Sequence, residues 1–336
     1  MNTPSIPHLK NCTAIGIDVS KKTLDFAGLT AERTVQYQLN NTVESIEKLA
    51  SKLVSVDYQG KIICESTGHY HLKLVSVFSK HKLNLYVINP LLSSKHSQAN
   101  IRKTKTDPVD AKTLATMCIT ERNLPKPTLT NDRNLLITLK VGQIKAMEKL
   151  IQKMGGSLRL YEETYQDLGF EMSEIQQELL TKLSELKSLH KCMLTELDSL
   201  VRESNDSSRD TDILSSIPGI SSTTAALLSQ LDREVKSCHS WVAFIGLDTS
   251  IRQSGTWKGK GKLSKRGNTY LRKRVFCSAW GAMMHDEHFK AYYESLRAEG
   301  RGYKEALCIL AKKQIRIAYH LLSCGEKYDP SKAFGA

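Results

Sequence analysis

No apolar run in the sequence approaches the ~20 residues needed to cross a bilayer, so nothing in it points to a membrane-spanning protein. Met1 to Lys10 is polar, holds two prolines and lacks the apolar core of a signal peptide, and the expectation is that the protein is not exported. The eight cysteines, Cys12, Cys64, Cys118, Cys192, Cys238, Cys277, Cys308 and Cys324, form no C-x-x-C pair and no close Cys/His cluster, which argues against structural zinc. Scattered among apolar neighbours, they read as small buried hydrophobes in a reducing, cytoplasmic compartment. The phosphate-binding pattern G-x-x-x-x-G-K-[ST] is also missing. A further absence is local: from Thr249 to His285 there is no Asp or Glu.

That acid-free stretch holds Arg252, Lys258, Lys260, Lys262, Lys265, Arg266, Arg272, Lys273 and Arg274. From Ser250 onward 18 Lys and Arg stand against 7 Asp and Glu, which accounts for +11 of the chain's net +13. A basic field concentrated in one region is the footprint of a polyanion partner, and nucleic acid is favoured over a merely well-solvated surface. Gly255, Gly259, Gly261 and Gly267 would let the backbone of this Gly/Lys-rich loop approach a ligand closely.

Three regions follow along the chain. Residues 12–125 read as α/β. Ala14–Asp18, Leu24–Leu29, Val35–Leu39, Lys61–Glu65 and Leu83–Ile88 are candidate strands, with helices starting near Thr42, which has a capping pattern, and near His71. Strand–strand–strand–helix–strand–helix–strand is the order of an RNase H-like fold. Residues 130–205 carry Ile144, Met147, Ile151, Met154 and Leu158, then a second apolar series from Ile175 to Leu200. The spacing fits a helical hairpin or an intermolecular coiled coil, and equally a plain amphipathic pair. Gly155 and Gly156 are expected to weaken the first helix near its end, and Asn205–Ser208 reads as a polar break. Residues 210–325 read as mainly α. Ile213–Ile220, with Pro218-Gly219 between two apolar segments, suggests a helix-hairpin-helix element whose turn could offer backbone N–H groups to a DNA phosphate.

Four acids stand out in the first region. Asp18 and Glu65 end apolar strands, where an unpaired charge is costly. Asp107 and Asp110 are three apart at a helix start, a spacing that puts both on one face. Oxygen donors of this kind, brought together, suit Mg²⁺ or Mn²⁺, which can polarise a phosphodiester. Other roles are open for each residue alone. Asp107-Pro108 fits a helix cap, Asp18 fits the first phosphate loop of an actin-like kinase, and Glu65 fits an ion pair. In the basic loop a serine hydroxyl needs its proton removed or its alkoxide stabilised before it can attack, and clustered cations help with both. On chemistry alone Ser254 has no priority over Ser250 or Ser264.

Several ordered motifs carry a resemblance. Gly16-Ile17-Asp18-Val19-Ser20, Glu65-Ser66-Thr67-Gly68-His69-Tyr70, Val87-Ile88-Asn89-Pro90 and Lys105–Ala111 resemble the DEDD, RuvC-like domain of Piv/MooV-type transposases, the insertion-sequence 110 family. Phe244–Leu247, Ser254-Gly255, Leu263–Asn268 and Leu271-Arg272 resemble that family's second domain, with Asp248 standing where family members often have proline.

The resemblance implies a DNA transposase or site-specific recombinase with Asp18, Glu65, Asp107 and Asp110 as metal-binding tetrad and Ser254 as the nucleophile. Arg252, Lys258, Lys260, Lys262, Lys265, Arg266, Arg272, Lys273, Pro218 and Gly219 are the expected nucleic-acid contacts. The implied partners are DNA (element ends and target), a structured guide RNA, and further copies of the chain in a dimer or tetramer. The alternatives are a pilin-type DNA invertase, a metal-dependent junction nuclease that needs no serine, an actin-like ATP-dependent kinase, whose second glycine-rich phosphate loop and adenosine motif are not found, and a DNA-binding protein without activity.

Overall fold

The structure, a computed structural model, describes residues 9–66, 68–98, 107–122, 124–203, 205–229, 231, 237–250, 253–254, 257–258 and 261–334. It divides into two compact units, 1–142 and 143–336.

The N-terminal unit is built on one five-stranded sheet of β1 (Ala14–Val19), β2 (Thr23–Leu29), β3 (Thr34–Asn40), β4 (Lys61–Glu65) and β5 (Leu85–Ile88), in the order β3-β2-β1-β4-β5. The first three strands are antiparallel meanders, and β4 and β5 join parallel to β1. Parallel pairing needs crossovers, which α1 (Val43–Ser55) and α2 (Leu72–Lys80) supply. Thr42 caps α1, its side chain accepting from the Ser45 N–H.

Alternation along β1 sorts the sheet into two faces. Ile15, Ile17 and Val19 pack with Ile46, Leu49, Leu53, Leu74 and Phe78 in one core. Ala14, with Ile63 of β4 and Ile88 of β5, packs on the other side with Leu114, Met117 and Cys118 of α4 (Asp107–Thr120). Each fully buried Leu, Ile or Phe contributes roughly 1.5–3 kcal/mol, so both layers hold the strands in register. Between β5 and α4 lies α3 (Pro90–Gln98). The strand ends at Ile88, just before Asn89-Pro90, and a helix that the sequence did not reveal starts at Pro90, since proline at a first helical position costs no hydrogen bond.

The C-terminal unit opens within α5 (Asp132–Asp167), which runs through Gly155-Gly156 without ending. Leu183 of α6 (Glu174–Arg202) would touch a Cβ at Gly155 at 3.5 Å, so the glycine lies against the second helix. Ile144, Leu183, Leu197 and Val201 are buried, while Leu160, Phe170 and Ile175 of the hairpin are exposed. The hairpin's second helix ends at Arg202, just before the polar residues expected to end the segment, and those residues open α7 (Asn205–Ser215).

Then follow α8 (Ser222–Ser229), α9 (Cys238–Ile245), the short strands β6 (Thr249–Ser250), β7 (Gln253–Ser254), β8 (Trp257–Lys258) and β9 (Lys262–Leu263), and α10 (Thr269–His285), α11 (Glu287–Ala298), α12 (Tyr303–Cys324) and α13 (Pro330–Phe334). One core joins Leu214, Ile217, Leu228, Trp241, Ile245, Leu271, Val275, Phe289, Leu307, Leu310 and Ile315. Of the cysteines only Cys12, Cys64 and Cys118 are buried, and all eight are free thiols. Among the described residues no helix is long and apolar enough to cross a membrane.

Candidate active site

Gly16 determines how the acids of the N-terminal unit are placed. A Cβ there would stand 2.1 Å from the Ala111 carbonyl oxygen and 2.3 Å from the Ala115 nitrogen. Only glycine lets α4 lie this close to β1, and Ala111 and Ala115 give the helix a matching small stripe. Asp18 is two residues beyond Gly16, so by the period of a strand it projects from the same face. Gly16 pairs with Ile63 and Ile17 with Cys64, and one further step along that register brings Asp18 level with Glu65. Asp110 precedes Ala111 in the first turns of the helix packed on this face.

Asp18, Glu65 and Asp110 are each half-buried. Glu65 accepts a 2.8 Å hydrogen bond from Ser93 Oγ of α3, with the Pro90 carbonyl oxygen, 3.0 Å away, as the alternative acceptor for the same hydroxyl proton. A helix not expected from the sequence therefore positions Glu65. The Pro108 carbonyl at the start of α4 accepts from Gln36 Nε2 at 3.0 Å, which ties the helix start to β3. Asp107 is the first residue of α4, and its side chain lies outside the described residues.

The expected grouping is therefore met by the backbone only. Asp18, Glu65 and Asp110 share one face, but among the described residues no three His, Cys, Asp or Glu side chains are gathered closely enough to hold an ion. A further acid, not read from the sequence, stands beside them. Asp25 is opposite Asp18 in the β1–β2 register, is buried, and accepts from Gln38 Nε2 at 3.1 Å. Its signal was present in Leu24-Asp25-Phe26, an acid flanked by two core residues. Two buried thiols lie nearby, Cys64 in the core on the opposite face of the sheet and Cys118 on α4. Burial pushes both up, Cys118 to about 11.

In the C-terminal unit the basic stretch is a two-tier β-ribbon rather than a plain loop. β6 pairs with β9 (Thr249 with Leu263, Ser250 with Lys262), and β7 with β8 (Gln253 with Lys258, Ser254 with Trp257). Ser254 pairs with Trp257 in the second of these ladders, and its side chain lies outside the described residues, as do those of Arg252, Lys258 and Lys260. Ser250 is in the first. Ser264 is committed to the ribbon's foot: its N–H donates to the Asp248 carbonyl at 2.9 Å and its hydroxyl to the Asp248 carboxylate. Asp248 thus fastens the entry to the exit of the ribbon.

The other basic residues divide in two. Lys262, Lys265 and Arg266 are exposed at the ribbon's foot, Lys265 with a φ of 54°. Arg272 instead donates to the Ile245 carbonyl at 3.0 Å. Lys273 pairs with Glu148 at 2.9 Å, and Tyr270, Arg274 and His190 reach the same carboxylate. Burial of Glu148 opposes its ionisation. Lys273, Tyr270 and Arg274 outweigh that and hold its carboxyl below the usual range.

Gly219, at a φ of 79°, takes a conformation that favours glycine, and a Cβ there would stand 2.2 Å from the Ser278 carbonyl oxygen of α10. The Pro218 carbonyl accepts from the fully buried Gln314 of α12 at 2.8 Å. Pro218 is half-buried and Gly219 exposed, so the turn lies at the surface while its backbone packs against α10 and α12.

Comparison with known proteins covers most of the chain. Residues 15–153 match a family model described as "Transposase", the DEDD transposase model of IS110, and residues 211–294 match one described as "Transposase IS116/IS110/IS902 family". An insertion element IS110 uncharacterized protein of Streptomyces coelicolor is 29% identical over 120 residues, 35% of this chain and 30% of that protein. The "Transposase for insertion sequence element IS1111A" of Coxiella burnetii is 22% identical over 95% of this chain and 92% of its own length. The "Pilin gene-inverting protein" of Moraxella lacunata is 22% identical over 94% of this chain and 98% of its own.

Proposed function

Because the chain belongs to the IS110 family of transposases, a family that cleaves and rejoins DNA, we propose that it cuts and reseals DNA strands through Ser254, assisted by a metal-holding tetrad of Asp18, Glu65, Asp107 and Asp110. The observation that carries the reading is the strand register. It sets Asp18 level with Glu65 on the face against which Gly16 admits the helix of Asp107 and Asp110. The sheet order β3-β2-β1-β4-β5, with two antiparallel and two parallel pairings, supports an RNase H-like reading of this unit. In the same way the α7–turn–α8 segment supports a helix-hairpin-helix. Three parts (12–125, 130–205 and 210–325) fit this view of the chain as catalytic domain, helical hairpin and serine-bearing domain.

The donor set fits a hard divalent cation such as Mg²⁺ or Mn²⁺, because all four groups are carboxylates. When bound, such an ion polarises a phosphodiester and neutralises charge on the oxygens around phosphorus. The chain's own residues supply the rest. Ser254 Oγ forms a bond to phosphorus, the bond to the 3′ oxygen breaks, and the proton lost by the serine ends on that oxygen. The 5′ phosphate stays on the protein. Reversal by another 3′ hydroxyl releases Ser254 and reseals a strand with no external energy source. Lys262, Lys265 and Arg266 at the ribbon's foot, with Arg252, Lys258 and Lys260, hold the phosphate backbone.

DNA ends and target are the substrates, with a structured RNA as guide, a cytoplasmic setting, and more than one copy of the chain per exchange. The Moraxella relative favours a second form of the same chemistry, inversion of a segment in place.

The test is direct. Purified protein with its element DNA, any flanking RNA and Mg²⁺ is expected to give a protein–DNA adduct that survives denaturation. Ser254→Ala is expected to abolish it, and Asp18→Asn or Glu65→Gln to slow its formation by at least about a hundredfold. An adduct in the Ser254→Ala protein refutes the nucleophile, and unimpaired cleavage in Asp18→Asn refutes the metal site.

A further inference from the structure

Helix α12 buries one side and bares a second pattern on the other. Ala306, Leu307, Leu310, Ala311, Gln314, Ile315 and Ala318 face the core. Lys304, Cys308, Lys312, Arg316 and His320 recur at every fourth residue, so they form one ridge along the helix. Sixteen residues at 1.5 Å each make that ridge about 24 Å long.

Two concavities open on it. One, of about 1140 Å³, runs from Lys262 and Lys265 at the foot of the β6–β9 ribbon to Lys304 and Lys312. The other, of about 360 Å³, lies between α12 and the segment Glu326–Ala333, with Arg316 and the rings of Tyr292 and Tyr328 in its wall. Ile309 and Lys312 line both, so the two meet there as one trough.

The charges in the trough are not balanced. Four acids line it: Glu305 pairs with Arg301 at 2.8 Å and Glu299 with the same arginine at 4.0 Å, Glu326 pairs with Lys332 at 2.8 Å, and Asp329 accepts from Ser331. Lys262, Lys265, Lys304, Lys312 and Arg316 make no ion pair among the described residues. At the inner end Lys313 Nζ lies 4.8 Å from the Tyr292 ring centre and 4.2 Å from that of Phe334. Cations along a track, with aromatic rings and an apolar floor of Ile309, Ile317 and Leu321 at its end, are the chemistry that grips phosphates and stacks an unpaired base. The inner cavity has room for one base with its sugar, not for a paired helix.

We propose that this trough binds a single-stranded stretch of nucleic acid, its backbone along Lys265, Lys304, Lys312 and Arg316 and one unpaired base in the cavity beside Tyr292. The inference rests on the strand-cutting reading above, since the trough begins at the foot of the Ser254 ribbon. It adds where an unpaired strand lies, and none of its α12 residues is in the acid-free stretch.

The test uses the full-length protein and fluorescein-labelled twelve-nucleotide strands of DNA and of RNA, with the matching duplex as a third probe, in anisotropy titrations across a salt series. The triple variant K304Q/K312Q/R316Q is expected to bind single strands about 10- to 100-fold more weakly, with a log–log salt slope shallower by about 2, because three phosphate contacts are gone. K149Q/K153Q/K187Q, which removes three exposed lysines of the hairpin, is expected to stay within about twofold of wild type. Whichever of the two strands binds more tightly names the source.

Unchanged strand binding in a triple variant of normal thermal stability overturns the proposal. So does equal displacement of the strand by a poly-glutamate peptide, which would make the trough a general acid-binding surface. Adduct formation on element DNA separates the two readings. A normal wild-type adduct with unchanged strand binding in the triple variant removes the trough alone. No adduct, with strand binding lost in the triple variant, removes the serine alone.

Discussion

The two units place their charges by opposite means. In the N-terminal unit Asp18, Asp25 and Glu65 are fixed by sheet register, each at a position where alternation leaves no other face to occupy. In the C-terminal unit the cations lie on a ribbon and on helices, and their partners decide which are available. Arg272 and Lys273 are held by Ile245 and Glu148, whereas Lys304, Lys312 and Arg316 make no ion pair among the described residues. A carboxylate on a strand is placed by the fold around it. A lysine on a helix is placed by whatever acid stands opposite, so charge density along the sequence is a poor guide to which cations meet a ligand.

The largest way to break this contrast is at Gly16. Gly16→Ala puts a methyl group 2.1 Å from the Ala111 carbonyl oxygen, a backbone atom that cannot rotate away. Helix α4 must shift, and the expected cost is about 3 kcal/mol, at the upper end of overpacking, read as a lower midpoint in urea unfolding. Strand cleavage is expected to fall further than stability alone explains, because Asp107 and Asp110 ride on that helix. If cleavage survives at wild-type rate in the folded variant, helix placement does not matter for the tetrad.

Glu148 offers a second break, in the other unit. It gathers Lys273, Arg274, Tyr270 and His190, and so joins α5 and α6 to α10. Its carboxyl is held below the usual range, so the stabilisation is complete above the unfolded-state value near 4.3 and is lost as pH falls through the lower folded value. Glu148→Gln is expected to cost about 2 kcal/mol at neutral pH, because Lys273 and Arg274 lose their shared partner. The gap between variant and wild type should shrink as pH falls below the unfolded-state value and close once the folded carboxyl is protonated. Parallel stability curves across that range would show that Glu148 does not act through its charge.

The same contrast marks how far the sequence could be read. Five strands and the helices at Thr42, His71 and Asp107 were legible because buried runs, caps and alternation are local signals. Asp18 and Glu65 were legible because an acid ending an apolar strand is rare. Helix α3 was hidden, since Asn89-Pro90 serves a turn and a helix start alike, and with it the hydroxyl of Ser93 on Glu65. The ribbon read as a loop because two-residue ladders leave too little alternation to see. Asp25 was passed over although its flanking core residues marked it. The ridge on α12 escaped because a cation every fourth residue is diluted by the apolar residues between, while Arg272-Lys273-Arg274 stood out by adjacency.

The smallest effect bears on that last point and compares two lysines directly. Lys273→Gln removes a cation from the acid-free stretch, and Lys304→Gln removes one from α12. Lys273 is half-exposed and bound to Glu148, which keeps Arg274 and Tyr270 as partners after the substitution. Its loss is expected to cost about 1 kcal/mol of stability, with single-strand affinity within about twofold of wild type. Lys304 is exposed and makes no ion pair among the described residues, so its substitution should leave the unfolding midpoint unchanged. It should weaken single-strand binding by about threefold and flatten the salt slope by just under 1. Measuring both variants by urea unfolding and by anisotropy gives four numbers with opposite expectations. If Lys273→Gln weakens strand binding and Lys304→Gln does not, the acid-free stretch extends its grip into α10 and adjacency in the sequence was the better guide. If the reverse holds, availability is set by the partner across the helix, and the strand follows α12.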